Sequence, residues 1–159
     1  MPSTLPSPHW AAQIAAATPL PDGRLNTRLE RLLTRLAEKP LDAFPQALPD
    51  CHQTKATYRF LSNERVERDA LLTGYRQVTT EAMRGLPRVY VAHDTATFTY
   101  TSLKCTTGLG YISDVEAAQG IHCHSSLALQ ANGVALGLLH QYYWVRTEFK
   151  KPSTQSLPI

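Results

Sequence analysis

Apolar positions along this chain change their period once. Up to about Leu86 they recur every three or four residues, the spacing that lays one face of a helix on a core. Beyond Pro87 they gather in β-branched and aromatic runs or alternate, as strands do. The clearest helix opens at Asp22-Gly23. Asp22 is a suitable N-cap, Leu25, Leu29, Leu32 and Leu36 follow at helical spacing, and Leu33 widens the stripe. Before it, Trp10–Ala17 is an alanine-rich short helix with Trp10 and Ile14 four apart, ended by Pro19 and Pro21. After it, Pro40, Pro45 and Pro49 break the chain into a loop or short turns. A helix is expected to resume near Gln53 and to carry Tyr58, Phe60 and Leu61 as far as Asn63. Another should run from about Glu67 to Met83, with Leu71, Leu72, Tyr75, Val78, Ala82 and Met83 on one side, until Gly85 and Pro87 stop it.

The second half reads as three strands. Arg88–Tyr100 holds Val89, Tyr90, Val91, Thr95, Thr97 and Phe98 without Gly or Pro. The stretch that follows, with Gly108, Gly110 and Gly120, reads as a loop or loose hairpin. His122–Leu129 alternates, Asn132-Gly133 predicts a type I′ turn, and Val134–Val145 returns. The expected class is α+β: a helical N-terminal domain over residues 9–86, then an antiparallel meander over 87–147, with loose tails at 1–8 and 148–159. One face of such a sheet stays uncovered unless the helices fold over it.

Composition narrows the function classes. The 159 residues carry a formal charge of +3, compatible with a nucleic-acid partner, and 43% are hydrophobic, enough for a core. No apolar run has the length of a membrane helix, and no charged-then-apolar start suggests a signal peptide. Three cysteines at irregular spacing, Cys51, Cys105 and Cys123, read as reduced thiols of a cytosolic protein. Charge is patterned in one place. Arg24, Arg28, Arg31 and Arg35 repeat at helical spacing, offset by one residue from the leucines, and make a basic stripe with no acid interspersed on that face, while Glu30 and Glu38 stand elsewhere on the same helix. Such a stripe is either a solvated face or a surface that tracks phosphates.

Asp94 stands alone in the middle of the first strand. A carboxylate there costs several kcal/mol unless a partner, a metal ion or solvent compensates its charge; the plain alternative is a solvent-facing strand position. Three chemistries compete around it. His93, His122, His124 and His140 with Cys123 offer zinc ligands, but Cys123 faces away from His122 and His124, and no CxxC or HExxH accompanies them. Ser125 and Ser126 follow His124 without a nucleophile elbow. A two-metal phosphoryl-transfer site built on Asp94 needs further acids, and Asp114, Glu116 and Glu148 lie outside the strands.

Several pieces in order carry a resemblance: Trp10; Asp22-Gly-Arg24 with Arg28-Leu29; Lys55-Ala-Thr-Tyr58-Arg59-Phe60-Leu61 with Asn63 and Val66; Val91-Ala-His-Asp94-Thr95; His124-Ser125; and Gly137-Leu-Leu-His140-Gln141 with Trp144 and Arg146. Over residues 9–147 the chain resembles the N-terminal part of the Tn-five-type insertion-sequence transposases. These are DDE-class enzymes with an RNase H-like catalytic core. The resemblance implies that Asp94 is the first acid of the triad, a ligand for Mg²⁺ or Mn²⁺. It also implies that Arg24, Arg28 and Arg59 belong to the domain that binds double-stranded DNA at transposon ends. Arg31 and Arg35 join them by spacing alone, and Tyr58 and Phe60 are expected in the core. The family's second acid and its Tyr-x-x-x-Arg-x-x-x-Glu signature have no counterpart here. The expectation is therefore a truncated, bacterial, nucleoid-associated DNA-binding fragment that keeps the first three strands of the RNase H-like core. It would hold metal weakly or not at all and would not cut DNA alone. The alternatives are a regulator that occupies transposon ends in competition with an intact transposase subunit, and a small histidine/aspartate metal-binding protein.

Overall fold

The computed structural model describes residues 9–102, 105–113, 115 and 117–149. The expected arm at 1–8, most of the expected C-terminal tail, and Asp114 and Glu116 lie outside them. Of the described residues, those up to Tyr90 together with Ala128–Leu139 form one compact unit, and Val91–Leu127 with those from His140 onward form the other.

The first unit is built on five helices: α1 (Trp10–Ala17), α2 (Gly23–Glu38), α3 (Phe44–Ala47), α4 (Cys51–Leu61) and α5 (Arg68–Met83). Two of the starts, those of α2 and α4, are capped by a side chain. The Asp22 carboxylate accepts from the Arg24 amide at 2.9 Å, and Asp50 caps α4 by accepting from the Gln53 amide at 2.8 Å. These caps satisfy amides that the first helical turn leaves without partners. The proline-broken segment folds one turn into α3.

The leucine stripe of α2 supplies buried Leu29, Leu32 and Leu33, which meet Ala11, Ile14 and Ala15 of α1, Leu48 and Phe60. Partner helices hold α1 at its C-terminal end. Asn26 of α2 donates to the carbonyls of Ala15 and Thr18 at 2.6 and 2.9 Å. On α5, Gly74 comes so near α1 that a Cβ there would lie 2.8 Å from the Ile14 carbonyl oxygen and would overlap the Thr18 hydroxyl.

Strands β1 (Val89–Thr99), β2 (Gly110–Tyr111), β3 (Gln119–Gln130) and β4 (Ala135–Trp144) form an antiparallel sheet in which β1, β2 and β4 all pair with β3. The three-strand expectation misses β2, two residues inside the stretch read as a loop. Its pairs are Gly110 with Gly120 and Tyr111 with Gln119. The two glycines allow the close approach, since a Cβ on Gly110 would sit 2.8 Å from the Val145 Cβ and one on Gly120 would overlap the Phe98 carbonyl oxygen. Glycine does not advertise a strand, and a single tyrosine beside it is too short a signal.

The turn joining β3 to β4 is not type I′. That turn needs positive φ at both central residues, whereas among the described residues only glycines have positive φ, and Gly133 is at +85°. Gly133 N donates to the Gln130 carbonyl at 2.9 Å and Gln130 N to the Val134 carbonyl at 2.8 Å. That is a turn followed by a left-handed glycine bulge, with the Asn132 carboxamide accepting from Val134 N at 3.1 Å. Within the first unit this hairpin end packs on α5. A Cβ at Gly137 (φ +148°) would overlap the buried Thr79 hydroxyl.

Candidate nucleic-acid interface

The stripe on α2 is one face of the helix, as its spacing requires. Arg24, Arg31 and Arg35 are exposed and Arg28 is half-buried. Arg28 is half-buried because its Nη1 donates to Gln53 Oε1 of α4 at 3.0 Å. That bond joins two helices that are far apart in sequence. Around it Arg24 and Arg28 of α2 and Arg59 of α4 line one shallow groove, floored by Leu25, Ala56 and Phe60 and ended by Asn63. A second depression on the same face of α2 is lined by Arg28, Arg31 and Arg35, with Gln53 and Thr57 on its α4 side. The five arginines expected from sequence are thus brought to adjoining surfaces of α2 and α4.

Two expectations need correction. The stripe is not free of acid: Glu38, one turn beyond Arg35, accepts from it at 2.7 Å. Glu30 and Glu38 also line the second depression. Arg35 therefore has less charge to offer a phosphate than its neighbours upstream. Tyr58 is not a core residue. It is 52% exposed and stands edge-on to the Phe44 ring, with centroids 6.0 Å apart, while Phe60 is 3% exposed. Helical periodicity places Tyr58 and Phe60 200° apart, so both could not enter one core.

Lys55 is among the residues that carry the resemblance, but sequence reasoning gave it no role. It is exposed on α4 one turn before Arg59. The i, i+4 separation was the available signal.

The surroundings of Asp94 are different in kind. The residue is exposed, as is all of β1 beyond Val89. Cross-strand contacts sort the sheet residues by face. Thr95 meets His124, Thr97 meets His122 and His93 meets Ser126 on one face. Alternation sends Asp94 to the other, with Cys123, Ser125, Gln141 and Tyr143. There the Tyr143 hydroxyl donates to Gln141 Oε1 at 3.0 Å, and Gln141 Nε2 donates to Ser125 Oγ at 3.2 Å. The companions of Asp94 on its face are thus an amide, hydroxyls and a thiol, and the sheet separates it from His93, His122 and His124. Among the described residues no group of three or more His, Cys, Asp or Glu side chains is placed to hold a metal ion. The described residues around Asp94 do not make up a two-metal carboxylate site. None of the three cysteines is paired; Cys51 and Cys105 are exposed and Cys123 is buried. Among the described residues no helix is long and apolar enough to cross a membrane.

No curated protein matches the chain. Residues 7–66, which run from before α1 to beyond α4, match the family model described as transposase DNA-binding, and that match supports a transposase N-terminal DNA-binding domain in this segment.

Proposed function

We propose that the chain is a transposase fragment whose α2–α4 surface binds the inverted repeats at transposon ends. The observation that carries the reading is the groove that Arg24 and Arg28 share with Arg59 of another helix. The match of residues 7–66 to transposase DNA-binding domains supports it. Arginine suits such a surface because its planar fork donates in two directions and keeps its charge. Gln53 holds the Arg28 guanidinium across the two helices, so part of the ordering cost is met before DNA arrives.

The sheet is proposed as the opening strands of an RNase H-like core, with Asp94 as its first acid. An intact core of that kind holds Mg²⁺ or Mn²⁺ between several acids. Here the amide and hydroxyl surroundings of Asp94 do not supply that donor set, so the proposed role of the chain is binding, not cleavage.

The test is the salt dependence of binding to inverted-repeat duplex. Each phosphate contact contributes roughly −0.9 to the slope of log affinity against log salt. Arg24→Ala with Arg59→Ala is expected to flatten the slope by about 2, with the helical circular dichroism unchanged. An unchanged slope in a folded double variant returns the stripe to a solvated face.

A further inference from the structure

Helix α4 differs from its neighbours in charge. Among the described helices, α1 and α3 hold no charged residue, α2 holds Glu30 and Glu38 besides its arginines, and α5 holds Asp69 and Glu81. The eleven residues of α4 include His52, Lys55 and Arg59 and no acid. All three are exposed. At 100° per residue they fall within an arc of about 60°, spread over roughly 10 Å of helix. The flanking acids, Asp50 and Glu64, stand beyond its two ends, and Asp50 is engaged as the N-cap. Glu30 and Glu38 share a depression with Gln53 and Thr57 of α4, about 160° round the helix from Lys55. Within the arc the cations have different settings. Arg59 lines the groove with Arg24 and Arg28. Lys55 does not line it, and has no hydrogen-bond or ion-pair partner among the described residues.

We propose that α4 enters the major groove of the bound duplex and that Lys55 donates to a guanine there. The inference rests on duplex binding by the α2–α4 surface. A helix in that groove fills most of its width of about 12 Å and has a phosphate strand on either side. An exposed carboxylate on such a helix would meet one strand or the other. Among the described helices α4 is the one that is cationic and carries none. With Glu30 and Glu38 beside its stripe, α2 can lie along one strand but not between two. Three guanidiniums about one shallow groove suit a phosphate, which accepts from several donors at once. The Lys55 ammonium stands outside that groove with its donors unused. It suits the adjacent acceptors O6 and N7 that guanine presents in the major groove. Lys55 is thus a base-reading residue, and Arg24 and Arg59 are backbone contacts that set its register.

The test uses the full chain and the duplex it binds most tightly from a randomised pool. Each guanine of that duplex is replaced in turn by 7-deazaguanine, which pairs normally but lacks the N7 acceptor. At one guanine the replacement is expected to weaken wild type roughly 5-fold or more, the low end of what one base contact gives. Lys55→Ala should weaken the unmodified duplex by at least that factor and should be indifferent to 7-deazaguanine at the same position. Selection repeated with Lys55→Ala should no longer prefer guanine there. Lys55 is exposed, so circular dichroism should show this variant folded, and the wild-type arm of the 7-deazaguanine scan needs no substitution in the protein. A Lys55→Ala loss that is equal for every base pair and persists on 7-deazaguanine duplexes makes Lys55 a phosphate contact and overturns the proposal. So does a wild type that no 7-deazaguanine weakens. Failure of duplex binding itself looks different: no sequence is selected, and Arg24→Ala with Arg59→Ala leaves the salt slope unchanged. That result overturns both readings, whereas a flattened slope with an indifferent Lys55 overturns this one alone.

Discussion

Arg28 and Arg35 sit seven residues apart on one face of α2 and have different partners. Arg28 is held by neutral Gln53 and keeps its whole charge, whereas Arg35 is bonded to Glu38. An exposed ion pair contributes little to stability, about 0–1 kcal/mol, but it takes up the donors a phosphate would use. Arg35→Ala should therefore change the salt slope for inverted-repeat duplex by well under the roughly 0.9 expected per phosphate contact, and Glu38→Gln should steepen it. Titration at several salt concentrations checks both, and equal effects of Arg24→Ala and Arg35→Ala would contradict the distinction. Tyr75 gives a second residue-level expectation. Burial pushes its phenol above the ordinary 10.0. The unfolded chain then ionises at lower pH than the folded one, so the contribution of Tyr75 is complete below the ordinary value and is lost as pH rises through the folded one. Thermal melts from neutral to strongly alkaline pH should show that loss, and Tyr75→Phe should reduce it.

At the scale of elements, glycines decide how closely two pairs of segments approach. Gly74 sits in the middle of α5, where alanine is the better helix former by about 1 kcal/mol. The Ile14 carbonyl 2.8 Å from the hypothetical Cβ is backbone in a helix and has nowhere to go. Gly74→Ala should therefore destabilise by about 1–3 kcal/mol despite its propensity gain. An equilibrium urea titration reads the sign directly, and stabilisation would show that α1 and α5 can move apart. Gly137→Ala should destabilise by a similar ~1–3 kcal/mol, through positive φ and overlap with the Thr79 hydroxyl together. Trimming Thr79 to Ala should recover part of the loss.

For the whole molecule the open feature is β1. Among the described residues it pairs with β3 alone, and its eleven residues are exposed beyond Val89. Tyr90, Val91 and Phe98 are 50%, 42% and 45% exposed. A long, unprotected edge with apolar side chains invites another strand. Residues 88–147 expressed alone should self-associate, because they keep that edge and lose α5, on which the hairpin end packs at Gly137. Sedimentation velocity decides, and a cooperatively melting monomer would contradict the expectation. With Mg²⁺ or Mn²⁺ present, the full chain should leave transposon-end DNA unnicked. Nicking that Asp94→Ala abolishes would mean that the chain finds other ligands, in itself or on a second subunit.

Local chemistry by itself determined α1, α2, α4 and α5, whereas α3 lies in the stretch read as a loop or short turns. Asp22 and the leucine spacing mark α2, alanines and Pro19 mark α1, and Gly85 and Pro87 separate α5 from β1, because caps, period and breakers act within a few residues. The α2 arginine stripe was legible for the same reason. Tertiary structure decided what those signals met. Only the fold could bring Arg59 of α4 beside Arg24 and Arg28, pair Arg28 with Gln53 twenty-five positions away, and expose Tyr58. It alone could make a strand of Gly110-Tyr111, whose pairing depends on the backbone of Gly120 and not on any propensity. The faces of the sheet lie between these cases. Alternation within β3 put His122 and His124 together from the start. That Asp94 lies across the sheet from them depends on the β1–β3 register, which is fixed by contacts between strands about twenty-five to thirty-three residues apart and by no local pattern.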